Sequence, residues 1–86
     1  MAWTVRLAAG AEKTLLKLDP PIARRIIRKL DHIATGDPRA TGEPLQGDER
    51  VWRYRIGDWR VICDLADSSR TINIVRIGHR SDVYRS

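Results

Sequence analysis

The chain has 86 residues, a single cysteine, and 16 basic against 11 acidic side chains, for a net charge of +5. That length suits one small domain over residues 1–86 with a modest core. The lone Cys63 excludes a disulfide framework and suits a reducing cytosol, and with no apolar h-region and no run near about 18 apolar residues we expect neither signal peptide nor membrane span.

Trp3–Leu7 alternates and predicts a first strand. Ala8–Leu18 carries helix formers with an apolar edge at Leu15, Leu16 and Leu18. Asp19-Pro20-Pro21 then restarts the chain, with Asp19 suited to an N-cap and proline tolerated in the first helical turn. In the second helix Ile22, Ile26, Leu30 and Ile33 form one stripe, with Ile27 and Ala34 beside it. Arg24, Arg25, Arg28 and Lys29 lie mostly off that stripe and read as a solvated face. Gly36 suits the helix stop.

Gly36–Arg50, rich in glycine and proline, reads as a long loop with Leu45 as its strong apolar anchor. Val51–Leu65 reads as a hairpin turning on Gly57-Asp58. A turn around Asp67-Ser68-Ser69 leads to a last strand, Thr71–Ile77. Strict alternation there puts Ile72 and Ile74 on one face and Val75 and Ile77 on the other. The tail Gly78–Ser86 suits a strand end or a helical turn. The expected order is β-α-α-β-β-β: an α+β domain with a helical hairpin on one face of a mostly antiparallel four-stranded sheet.

On the hairpin, Tyr54, Ile56, Trp59 and Val61 should meet the helices, with Trp52 and Trp59 read as core. Arg53, Arg55, Arg60 and Ile62 share the opposite face, with Arg55 directly across from Arg60. Like charges placed so are destabilising, so the arginines predict an anion lying over them. Residues 50–86 hold eight arginines against four acids, whereas residues 1–49 hold eight basic and seven acidic residues. The positive field thus belongs to the C-terminal half and favours nucleic acid or an acidic protein partner.

Arginine presents a planar fork of donors that matches phosphate and keeps its charge at any working pH. Arg53, Arg55, Arg60, Arg80 and Tyr84, with His79 nearby in sequence, form the candidate constellation. Several guanidinium groups around one phosphodiester would stabilise a pentacovalent transition state. That suits RNA, whose own 2′-OH can act as nucleophile. The chain has no HxH, CxxC or carboxylate cluster with metal-ligand spacing and no glycine-rich phosphate loop, so neither metal nor cofactor is expected. The plainer alternatives are a charged edge that discourages aggregation, a loop histidine without a role, and a tyrosine that anchors the tail.

The block W-R-Y-R-I-G-D-W-R-V-I, followed by R-I-G-H-R-S-D-V-Y-R, resembles the RelE branch of the RelE/ParE toxin superfamily. Chain length, element order and the Asp19-Pro20-Pro21 restart are similar too, so the resemblance covers nearly the whole chain. It implies a small basic cytoplasmic endoribonuclease that cuts mRNA in the ribosomal A site. It also implies a cognate antitoxin that wraps the toxin, and operator DNA bound only through the antitoxin complex. By the same resemblance Arg60, Arg80 and Tyr84 are the catalytic candidates and Arg53 and Arg55 bind substrate; His79, nearby in sequence, is grouped with the substrate-binding residues. Arg53 and Arg55 stand where well-known members carry lysines. Arginine cannot act as a base, so Tyr84 becomes the candidate general base and His79 the spare. The alternatives are a ParE-type toxin that poisons DNA gyrase without enzymatic activity, and a degenerate member that only binds antitoxin and operator.

Overall fold

A computed structural model describes residues 2–45 and 47–83. The chain runs β1 (Thr4–Leu7), α1 (Ala9–Lys17), α2 (Pro20–Ala34), β2 (Glu43–Leu45), β3 (Asp48–Ile56), β4 (Trp59–Ala66), β5 (Thr71–His79) and α3 (Arg80–Val83). The sheet has five strands in the order β1-β5-β4-β3-β2. β1 lies parallel to β5, and the other pairings are antiparallel. This is the expected α+β arrangement with one strand more than the sequence suggested.

The helices cover one face. Ala11 and Leu15 from α1, and Ile26, Leu30, Ile33 and Ala34 from α2, are buried against Trp52, Tyr54, Ile56, Val61, Leu65, Ile72 and Ile74 of the sheet. Burial of each large aliphatic chain here is worth about 1.5–3 kcal/mol, so this stripe holds the helical hairpin down. Ile27, beside the stripe, stays exposed. Asp19 occupies the N-cap of α2, yet its side chain makes no capping bond. Its carbonyl instead accepts from the Ala23 amide at 3.0 Å. At the other end Thr35 donates to the His32 carbonyl through both its amide (3.1 Å) and its Oγ1 (2.6 Å). Cys63 lies fully buried in β4, and desolvation pushes its thiol up to about 12. Among the described residues no helix is long and apolar enough to cross a membrane.

Two local features depart from expectation. The first is β2, inside the segment read as a loop. Gly42 adopts φ +76°, where a Cβ would come within 2.5 Å of the Arg53 carbonyl oxygen. Only glycine lets the backbone approach β3 so closely. The whole segment is stitched down by polar contacts. The Trp52 indole donates to the Thr41 carbonyl at 2.7 Å, and the Tyr54 hydroxyl to the Pro38 carbonyl at 2.6 Å. Arg39 grips both Asp67 carboxylate oxygens (2.7 and 3.0 Å) and the Glu49 carbonyl. A three-residue strand with proline at its centre shows no alternation that could have announced it.

The second is a bulge in β5. Cys63 pairs with Ile74, but the preceding Ile62 pairs with Arg76, so Val75 has no partner in the ladder. The extra residue resets the alternation. Val75 is left 46% exposed and Ile77 returns to the core at 4%. The expectation that Val75 and Ile77 share a face is therefore corrected.

Candidate nucleic-acid interface

The Gly57-Asp58 turn fixes the register of the arginines. Ile56 pairs with Trp59 and Arg55 with Arg60, as the alternation predicts. One ladder further, Arg60 lies beside Gly78 and Ile62 beside Arg76. Arg53 pairs with Ile62. Arg53, Arg55, Arg60 and Arg76 therefore share the sheet face turned away from the helices, and the β5 residue paired with Arg60 is a glycine, which has no side chain. Arg76 was not among the expected site residues. Strict alternation would turn it to the core side, and only the bulge at Val75 brings it to the open face. Its guanidinium donates to the Asp82 carbonyl of α3 at 3.3 Å.

The arginines do not all project into solvent, as a bare platform would have them do. Arg60 is only 9% exposed. It folds back over the hairpin, and Nη1 donates to the carbonyls of Gly57 and Trp59, both at 2.9 Å. Arg53 also lies down, its side chain 12% exposed, whereas that of Arg55 is 60% exposed. The anion predicted over the cluster is partly supplied by the chain itself. Glu43 of β2 pairs in register with Arg53. One oxygen of its carboxylate, Oε1, accepts from Arg53 Nη2 at 2.6 Å and from Arg55 Nη2 at 3.1 Å. The Arg53 hydrogen bond is the main reason the Glu43 carboxyl sits below its usual range, with the Arg55 charge adding to it. These contacts relieve the repulsion between Arg55 and Arg60, because one guanidinium turns to carbonyls and the other to a carboxylate.

Arg80 joins the cluster from the end of β5. Its amide donates to the Asp58 carbonyl at 2.7 Å, and its Nε lies 3.9 Å from the Asp58 carboxylate. Arg60 and Arg80 are thus anchored to the same two-residue turn. His79 is placed apart from them. It pairs with Trp59, one residue out of phase with Arg60 and Gly78, and so points to the helix side. There its ring meets Trp59 edge-on at 5.5 Å, and its Nδ1 contacts Ser81 Oγ at 3.0 Å. Trp59, expected in the core, is only half-buried. Tyr84, the expected general base, lies outside the described residues.

The positive surface continues around the β3 edge. Arg25, Arg28, Lys29 and His32 of α2 line a groove of about 480 Å³ with Arg55, Ile56 and Gly57. Arg25, Arg28 and Lys29, read as a solvated face, therefore belong to a shaped cationic surface that includes Arg55. A strand of backbone phosphates could pass from the open face into this groove without leaving positive potential.

Over residues 5–84 the chain matches the family described as ParE toxin of type II toxin-antitoxin system, parDE. It is also 30% identical over 86 residues to the toxin RelG of Mycobacterium tuberculosis, covering 99% of each chain. The chain belongs to the RelE/ParE toxin family. It is a toxin of a type II toxin-antitoxin system. Among solved structures, it is similar to the RelBE2 toxin-antitoxin complex of M. tuberculosis, with a TM-score of 0.75, 30% identity, and coverage of 93% of this chain and 100% of that one. A mutant of the E. coli toxin RelE in the free state shares the fold, with a TM-score of 0.82 at 17% identity, over 98% of this chain and 88% of that one.

Proposed function

We propose that this toxin is a ribosome-dependent endoribonuclease that cleaves mRNA in the A site and so stops translation. The observation that carries the reading is the convergence of Arg53, Arg55 and Arg60 on one sheet face, with Arg80 anchored to the same turn as Arg60. Arg60 holds the scissile phosphate and stabilises the charge that builds on its oxygens. Arg53 and Arg55 position the flanking backbone, and Arg80 stabilises the leaving 5′-oxygen.

The reaction uses the substrate's own 2′-OH. Tyr84, as phenolate, takes the 2′ proton; positive charge near a phenol favours that ionised form. The 2′-oxygen bonds to phosphorus as the bond from phosphorus to the 5′-oxygen breaks. The products are a 2′,3′-cyclic phosphate and a 5′-hydroxyl, whose proton comes from solvent. His79 takes no step in this scheme. A cognate antitoxin would silence the toxin by laying an acidic or amphipathic helix over the helical hairpin or by displacing the C-terminal tail. The two proteins together would repress their own operon, with operator DNA held only through the antitoxin.

Cleavage mapping on stalled ribosomes with a defined message tests the reading, with a gyrase supercoiling assay run beside it. Arg60→Ala should slow cleavage about 10²–10³-fold while ribosome affinity changes far less. Tyr84→Phe should abolish cleavage. Intact mRNA together with inhibited supercoiling would instead favour the gyrase-poison reading, which the ParE description of the matching family keeps in view.

A further inference from the structure

We propose that Glu43 is a resident stand-in for a phosphate: its carboxylate fills the anion position between Arg53 and Arg55 and is displaced when a nucleotide phosphate arrives. A single Glu43 oxygen accepts from a terminal nitrogen of both guanidinium groups, at 2.6 and 3.1 Å. A non-bridging phosphate oxygen makes the same pattern of charge-assisted bonds with paired arginines. The exchange is also balanced in charge, because a phosphodiester and a carboxylate each carry one negative charge. Arg53 lies almost flat in the sheet surface. A guanidinium so desolvated is costly to leave without an anion, which gives the chain a reason to supply its own.

The exchange needs only the Glu43 side chain to move, while β2 stays paired with β3 at Glu43 and Pro44. The Glu43 side chain is 42% exposed, so it can swing into solvent without breaching the core. The Arg53 bond holds the Glu43 carboxyl below its usual range and so keeps it charged, as suits a carboxylate that sits in an anion site. The functional consequence is a threshold: weak or isolated anions must compete with a tethered carboxylate, while a polynucleotide held at several points displaces it.

The inference rests on the reading of this face as an RNA site, and the experiment separates the two. In the first arm, inorganic phosphate is titrated into the wild-type toxin while NMR follows the Glu43 carboxyl carbon and the Arg53 and Arg55 Nε–H groups. The Glu43 signal should move with the same midpoint as the arginine signals. Phosphate bound at the arginines with an unmoved Glu43 overturns the inference. In the second arm, Glu43→Gln keeps the side-chain shape and removes the competitor. It should bind phosphate and a 2′-O-methyl RNA oligonucleotide more tightly, on the order of 3–10-fold. The salt slope for the RNA should stay close to the wild-type value, because displacement of the carboxylate leaves the same number of phosphate contacts in both complexes. Unchanged or weaker phosphate binding sinks the inference even if wild-type toxin cuts mRNA normally. Tighter phosphate binding without any RNA binding upholds the displaced carboxylate and removes the RNA reading.

Discussion

Arg60 carries a permanent charge in an almost buried side chain, and the Gly57 and Trp59 carbonyls make this tolerable. A lysine there has no planar fork to satisfy both carbonyls and still face a phosphate. Arg60→Lys should therefore lose about as much cleavage as alanine, roughly 10²-fold or more, read as single-turnover rates on programmed ribosomes. Gly42 makes a sharper structural test. A Cβ at that position meets the Arg53 carbonyl at 2.5 Å, and φ is already +76°. Gly42→Ala should cost about 1–3 kcal/mol in urea unfolding, and it should loosen Glu43 along with β2. At this scale the sequence was informative where the turn sets the register: Arg55 opposite Arg60 follows from Gly57-Asp58 alone. Glu43 was illegible, because nothing in a glycine-rich and proline-rich stretch says which residue will pair with Arg53.

The helices, the hairpin and the last strand were legible because each has a long periodic stripe. β2 is too short for a period, and the bulge at Val75 breaks one. Deleting Val75 should remove the bulge and restore strict alternation with Arg76 still on the open face and Ile77 still in the core, so the protein should keep a cooperative thermal transition. The segment between α2 and β3 depends on charge as well. Its Arg39 bond to Asp67 holds that carboxyl below its ordinary 3.8, as the Arg53 bond holds Glu43 below its ordinary 4.5. A carboxyl with a depressed folded pKa adds stability above the unfolded value and loses it as pH falls through the folded one. Stability should thus decline from about pH 4.5 downward, with the Asp67 contribution lost below about 3.8. Asp67→Asn should flatten the lower part of that decline in urea midpoints measured at successive pH values.

Over the whole molecule, the positive surface runs from the open sheet face round the β3 edge to α2. Charge reversal at Arg28 and Lys29, both in the groove, should weaken ribosome affinity at low salt and matter less as salt rises, since backbone contacts are electrostatic. The same pair should leave thermal stability within about 0.5 kcal/mol, because both side chains are exposed. Sequence reasoning took these residues for a plain wet helix face. Helical spacing reveals which residues face outward, but not that a hairpin tip from far along the chain will close one side of them into a groove.

Cys63 sits at the heart of this scaffold, sealed in the central strand with its sulfur donating to the Trp52 carbonyl at 3.5 Å. An alkylating reagent can capture it only during the rare moments when the core between sheet and helices opens. The single thiol is consequently a native stopwatch for such openings, and the extent to which a bound antitoxin slows it would measure how firmly that protein clamps the whole toxin shut.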